Sequence, residues 1–236
     1  MQFIPVRTSI LQPPQDDLFQ ALDRHLSDVR ERDVVLGSSK VVAIHEGRCV
    51  RRSEVGKEEL VLREADYLIR APYRETPLTI KHHTFLGAAG IDESNGNGYY
   101  VLLPEDVFAS AERMHTYLKK RFGLREVGVV ITDSRSQPLR FGATGVALAF
   151  WGIVPLTDHV GKRDIFGREI QFERSNIVDG LAAGACVVSG EVAECQPVVI
   201  ARQVPGLAFK EGNLEHLLMV DPAEDMFRVL YEDSIS

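Results

Sequence analysis

No stretch of this chain is apolar for long enough to cross a membrane. Its first residues, MQFIPVRTSI, have neither the charged start nor the long apolar run of a secretory signal. Both absences predict a cytoplasmic protein. Basic residues are in short supply: 27 Lys and Arg face 34 Asp and Glu, the net charge is −7, and no Lys/Arg block occurs. Nucleic acids and membrane surfaces need a concentrated basic footprint, so neither is an expected partner, although a local basic pocket for phosphates stays open. The three cysteines, Cys49, Cys186 and Cys195, form no Cys-x-x-Cys clip and read as reduced packing residues. Gly-x-Gly-x-x-Gly, Gly-x-x-x-x-Gly-Lys-Ser/Thr and Gly-x-Ser-x-Gly are all missing, which excludes the two commonest nucleotide-binding loops and the nucleophile elbow as sequence patterns.

What is present is an ordinary folding composition, 236 residues of which 44% are hydrophobic and 26% charged. It predicts one compact unit over residues 1–236, or two intimately packed lobes. Leu18, Phe19, Leu22, Leu26 and Val29 recur at helical spacing behind Asp16 and Asp17. DVVLGSSKVVAIHEGR reads as β-rich from Asp33 to about His45, interrupted at Gly37-Ser38-Ser39. Leu60, Leu62, Ala65, Leu68 and Ile69 predict a helix that Pro72 ends. A short strand from Tyr100 to Leu103 precedes a helix opened by Pro104 and closed by Gly123. EVGVVITDS is a strand ending in an acid and hydroxyls, Ile177 to Val188 a close-packing helix, PVVIARQV a buried strand and Pro222 to Leu230 a terminal helix. Strands and helices alternate irregularly, so the fold class is mixed α/β (α+β) and not a regular doubly wound sheet.

The densest polar constellation is ITDSRSQPLRFGATG, with Asp133 at a strand end and Arg140 in a loop. Phosphoryl transfer needs that pairing, because Mg²⁺ takes carboxylate and phosphate oxygens while Arg grips phosphate bidentately. The plainer alternative is a turn-capping Asp133 and a surface Arg140. TDHVGKRDIFGREIQFERS adds Asp158, Asp164, Glu169 and Glu173 among basic residues, a pattern that also fits a solvated loop. KHHTFLGAAGIDESNG gathers Lys81, His82, His83, Asp92, Ser94 and Asn95, without the further ligands a zinc site requires.

Taken in order, these segments resemble the gamma-glutamyl ligase family of coenzyme F-420 biosynthesis. The likeness runs through IPVRTSI…DDL, DVVLGSSKVVAIHEGR, KHHTFLGAAGIDESN, VLLPEDVFASAERM, ITDSRSQPLRFGATGVALAFWGIVPLTDHVGKRDIFG and IVDGLAAGACVVSGEVAECQPVVIARQVPGL. The resemblance implies an amide ligase that consumes GTP with Mg²⁺ or Mn²⁺, activates a carboxylate acceptor as an acyl phosphate, and lets the amine of glutamate attack it. It also implies a homodimer with the site near the subunit contact. Carried over residue by residue, Asp133 matches a metal-ligating acid, and Ser39, Ser136, Asp92, Ser94 and Asn95 match nucleotide-site positions. Asp158, Asp164, Gly167 and Asp179 match loop and helix positions of the family. Asp133, Arg140 and Asp158 then form the catalytic set, and Glu173 and Ser175 join Asp133 as metal ligands.

Four positions depart from the family's pattern. Ile44 stands where a nucleotide-binding lysine is usual, with Lys40 as a displaced substitute. Arg174 stands at the second metal-binding acid, with Glu173 one position away; Val160 replaces an Arg and Ala88 an Asn. The departures leave a second expectation beside the ligase: a catalytically altered relative that binds a ligand or regulates.

Overall fold

The computed structural model describes residues 1–73 and 76–231. Along the chain run β1 (Gln2–Val6), α1 (Leu18–His25), β2 (Val34–Ser38), α2 (Ser39–His45), β3 (Cys49–Arg51) and α3 (Lys57–Glu64). β4 (Tyr67–Tyr73), β5 (Thr76–Lys81), β6 (Thr84–Gly87), β7 (Tyr99–Val101) and α4 (Val107–Phe122) follow. The last third holds β8 (Gly128–Ser136), β9 (Ala143–Trp151), β10 (Leu156–Asp158), β11 (Arg174–Asn176), α5 (Ile177–Ser189) and β12 (Val198–Arg202).

A five-stranded sheet in the order β1-β12-β2-β8-β9 carries the core. Only its central pair, β2 and β8, is parallel; the other neighbours are antiparallel. The architecture is therefore mixed, as expected. α4 packs along β8 and β9, and α5 along β9, β1 and β12. Glycines let α5 approach closely: a Cβ on Gly184 would strike the Phe3 ring, and one on Gly145 the backbone of Ala182. Leu36, Ile131, Leu148 and Phe150 sit fully buried in this layer. A smaller apolar cluster of Leu60, Val61, Ala88, Ala89, Ile91, Tyr100 and Leu102 joins α3 to the segment before β7.

Helix ends follow their capping chemistry. Asp106 accepts from the Ala109 N–H to open α4, and Gly123 closes it in the left-handed region at φ 67°. Asp17 accepts from Phe19 and Gln20 to open α1, and Asn176 accepts from Asp179 to open α5. At the N-terminal end of β2, buried Asp33 takes a bidentate grip from Arg202 of β12 (Nε–Oδ1 3.0 Å, Nη2–Oδ2 2.8 Å) and the Arg30 N–H at 2.8 Å.

Several local expectations are corrected. The β-rich stretch from Asp33 stops at Ser38, and Ser39–His45 is helix α2. Val41, Val42, Ala43 and Ile44 are all buried there, so tertiary packing overrides their β preference. The helix assigned through Ile69 ends at Glu64; Leu68 and Ile69 lie in β4, and Pro72 falls where the β4–β5 register shifts, as strand prolines do. α1 ends at His25, although Leu26 and Val29 are buried as its spacing implied. Pro222 to Leu230 is not a helix but turns closed by a short 3-10 turn at Arg228–Leu230. Asp221 and Asp225 accept the N–H groups two residues on, an alternative that competes with helix. His82 and His83, with φ 48° and 56°, form the turn between β5 and β6.

Candidate active site

Because β2 and β8 run parallel with Ser38 opposite Thr132, their pairing ends at one edge, where β2 turns away and β8 runs on against β9 alone. Such an edge is where open sheets with parallel strands place ligands. After Ser38 the chain turns into α2, which puts Lys40 in the first helical turn; one residue past Thr132 comes Asp133. The Ser38 N–H donates to the Pro197 carbonyl at 2.9 Å, closing the third side with the segment before β12. Between them lies a cleft of about 600 Å³. Its polar wall is Ser38, Lys40, Asp92, Ser94, Asn95 and Asp133; Leu11, Leu36, Val41, Ile44 and Val199 form an apolar wall.

The turn that carries Asp92 is held by unusual backbone. Ala88, Ala89 and Gly90 all have positive φ (50°, 53° and 72°), a left-handed run that disfavours any side chain. Fully buried Thr79 pins it: its Oγ1 accepts the Ala89 N–H at 2.8 Å and donates to the Leu86 carbonyl at 2.7 Å. Asp92 then exchanges both backbone hydrogen bonds with Val101 at 2.9 Å. Asn95 reaches across the cleft to donate to the Val192 carbonyl at 2.8 Å.

Charge concentrates at Lys40, Asp92 and Asp133. Lys40 forms an ion pair with Asp92 and donates to the Ser94 carbonyl (3.2 Å) and Ser94 Oγ (3.1 Å). Asp92 also accepts the Ser94 N–H at 2.7 Å. Burial pushes the Asp92 carboxyl up, but Lys40 and Ser94 outweigh it and hold it below its usual range. Asp133 goes the other way: burial pushes it up to about 7, with the charge of Asp92 adding to the rise, while the Ser134 N–H, Lys40 and the Ser39 hydroxyl pull against it. A carboxyl so poised, in a cleft beside a second one, marks a functional position.

The cleft thus gathers Lys40, Asp92, Ser94, Asn95 and Asp133, with buried Ser39 beneath, and leaves the other assigned residues outside its lining. Ser136 and Arg140 lie at the exposed tip of the β8–β9 hairpin. Asp158 and Arg174 pair with each other at 3.3 Å across β10 and β11, both well exposed. Glu173 offers its carbonyl to the His159 N–H at 3.0 Å and leaves its side chain to solvent, while Ser175 Oγ meets His159 Nε2 at 3.0 Å. Asp164 shapes the loop by accepting from Phe166 and Arg168, and Asp179 accepts the Ala147 N–H at 2.9 Å. Among the described residues, no three His, Cys, Asp or Glu side chains gather as a ready-made metal cage.

Sequence reading missed part of the cleft. Thr8 to Leu11 line it, as do Cys186, Glu191, Glu194 and Cys195. Burial, Glu191 and Asp133 push the Cys186 thiol up to about 11, so it stays protonated. Most of these residues lie in segments that resemble the family, but nothing there assigned them a role; the SGEVAECQP segment between α5 and β12 reads as an ordinary polar loop until the sheet closes.

The family model described as F420-0:Gamma-glutamyl ligase matches residues 5–203. The chain is 32% identical to the coenzyme F420:L-glutamate ligase of Methanothermobacter thermautotrophicus, over 89% of this chain and 90% of that protein. It is likewise 32% identical to the ligase of that name from Methanopyrus kandleri, over 91% and 92% of the two chains. The Methanocaldococcus jannaschii ligase is 34% identical over 85% and 78%. With a mixed fold of the expected kind and a match running nearly end to end, the chain belongs to the F420-0:gamma-glutamyl ligase family and is a ligase.

Proposed function

We propose that this ligase adds L-glutamate to the carboxylate of a deazaflavin coenzyme precursor, consuming GTP with Mg²⁺ or Mn²⁺; its relatives are named coenzyme F420:L-glutamate ligases. The observation that carries the proposal is the polar wall of Asp92, Asp133 and Lys40 beside an apolar one. Mg²⁺ is held by one or two carboxylates together with phosphate oxygens, so Asp92 and Asp133 fit it without a cage of protein ligands. Asp133 in particular is a half-buried carboxyl pushed up to about 7, and the cation that acts on it, Lys40, is paired to Asp92. When bound there, a divalent ion neutralises phosphate charge and aligns the transferring group.

The chemistry asks little else of the protein. A carboxylate oxygen of the acceptor attacks the terminal phosphorus, and GDP leaves. The glutamate amine then attacks the acyl carbon, inorganic phosphate leaves, and the amide loses its proton to solvent. Lys40 and the Asp92–Asn95 turn orient the anionic groups, while Leu11, Val41 and Ile44 take a flat ring and exclude water.

A homodimer acting in the cytoplasm is part of the proposal. Leu139 and Phe141 on the β8–β9 hairpin and Ile165, Phe166 and Phe172 in the segment after β10 are almost wholly exposed, and apolar surface of this kind is normally covered. A second copy on that surface accounts for Arg140, Asp158, Glu173 and Ser175 as residues that complete a site near the subunit contact. Light scattering reads the assembly directly, and a monomeric, fully active protein would overturn it.

Two observations favour a second reading, that of a binding or regulatory relative. Ile44 is 3% exposed in the apolar wall, and the Arg174 guanidinium is committed to Asp158. Titration calorimetry with GTP and with ATP, with and without Mn²⁺, separates the two. Mn²⁺-dependent binding lost in Asp133→Ala, with glutamate-dependent phosphate release, supports the ligase; no binding to either nucleotide supports the alternative.

A further inference from the structure

A lysine ammonium has three donors, and those of Lys40 are all engaged: one by the Asp92 carboxylate, one by the Ser94 carbonyl and one by Ser94 Oγ. As it stands, Lys40 has no donor left for a phosphate. Turning the ammonium away from the Asp92–Ser94 turn to meet a phosphate breaks its bond to Asp92 and takes their nearby cation from Asp92 and Asp133, which line the same cleft. An uncompensated pair of part-buried carboxylates is strongly unfavourable, and a phosphate brought beside them adds more negative charge. The released Lys40 therefore needs a cationic replacement at the carboxylates. The site has the means for the swap: the side chain of Lys40 is 25% exposed at the cleft, and a divalent ion balances both acids where one ammonium balances one.

We infer that Lys40 is the resident counter-ion of Asp92 and Asp133, and turns to the nucleotide phosphates only when a divalent ion takes over those carboxylates. The inference rests on the ligase reading above and adds to it an order of events: metal occupancy precedes, and is coupled to, the grip of Lys40 on phosphate. The coupling is reciprocal, as linkage requires. It also gives Asp92 two successive partners, and gives Ser94 the task of holding Lys40 off the phosphate path until the exchange.

The test is Mn²⁺ alone, followed by the electron paramagnetic resonance signal of the free ion, on the wild-type chain, Lys40→Met and Lys40→Gln. Removing a competing positive charge from the carboxylates is expected to tighten Mn²⁺ binding about tenfold in both variants, a modest part of the close-range repulsion between like charges. The same variants should bind GTP in saturating Mn²⁺ about tenfold more weakly by calorimetry. These opposite signs are what a lysine that merely supports the fold would not give. Unchanged or weaker Mn²⁺ binding in the variants, with wild-type Mn²⁺ and GTP binding intact, overturns the exchange and leaves the ligase reading standing. No Mn²⁺ binding by any of the three proteins without GTP overturns the order of events, and none in the presence of GTP overturns the ligase reading as well. Lys40→Gln keeps the measurement available if Lys40→Met does not fold.

Discussion

Two aspartates sit at opposite ends of the same parallel strand pair, and their surroundings differ. Asp33, before β2, is 1% exposed and satisfied: Arg202 grips both its oxygens, and the Arg30 N–H caps one of them. The pairing raises the Arg202 guanidinium above its ordinary value, chiefly through the hydrogen bonds to Asp33. Asp133, in β8, is half-buried where it lines the cleft; the cation that acts on it is committed to Asp92, and its carboxyl is pushed up to about 7. A buried charge with all its partners ties strands together. One left short of positive charge is ready for a ligand the fold does not supply.

The comparison breaks most visibly at Asp133. Asp133→Ala is expected to cut nucleotide-dependent ligation by on the order of a thousandfold, the scale for losing a key electrostatic contact to a transition state, and to leave the melting temperature unchanged or higher. A coupled assay of phosphate release and a thermal melt read the two halves; a large fall in melting temperature would make Asp133 a structural residue like Asp33. Asp33→Ala should do the reverse. It strands a buried Arg202 and is expected to cost about 3–5 kcal/mol in denaturant unfolding.

Acidity sharpens the same contrast. The folded-state pKa of Asp133 lies above its unfolded value, so its contribution to stability is fully present below the unfolded pKa, near 3.8, and is lost as pH rises through about 7. Unfolding of the wild type and Asp133→Asn across pH 4 to 8 should therefore show the Asn variant gaining over the wild type through that window, then levelling above about pH 7. A constant difference would place the Asp133 carboxyl in ordinary solvent. The smallest effect belongs to the turn carrying Asp92. Ala88→Gly removes the penalty of a Cβ at φ 50° and is expected to stabilise the protein by about 0.5–1 kcal/mol, measured by denaturant midpoint.

Legibility of the fold followed the locality of the signal. α4 and α5 were readable because their apolar spacing and, for α4, the Gly123 cap lie within the helix they define, although α4 opens at Val107 behind Asp106 and not at Pro104. α2 was not, because its valines and isoleucine are helical only where the sheet buries them all. β4 merged with α3 in sequence because Leu68 and Ile69 continue the helical spacing, whereas Asp66, bonded to Lys81 and His82, diverts the chain into a hairpin. In the cleft, Asp133 stood out as an acid at the end of an apolar strand and the Asp92–Asn95 turn as a polar cluster, whereas Lys40 came in only through the family resemblance. Cys186, Glu191 and Thr8 did not, since only the closing of β1 and β12 on β2 brings them there.

The parallel pairing of β2 with β8 has a consequence in time as well as in space. The Thr132 hydroxyl donates to the Gly37 carbonyl across 95 residues of chain, and such long loops close late because their entropy is lost before any contact rewards it. Lys40 and Asp133 meet only when that loop has closed. In a refolding experiment, nucleotide binding should recover no earlier than the slowest phase of sheet formation, which makes the ligand a reporter of the finished molecule and blind to its intermediates.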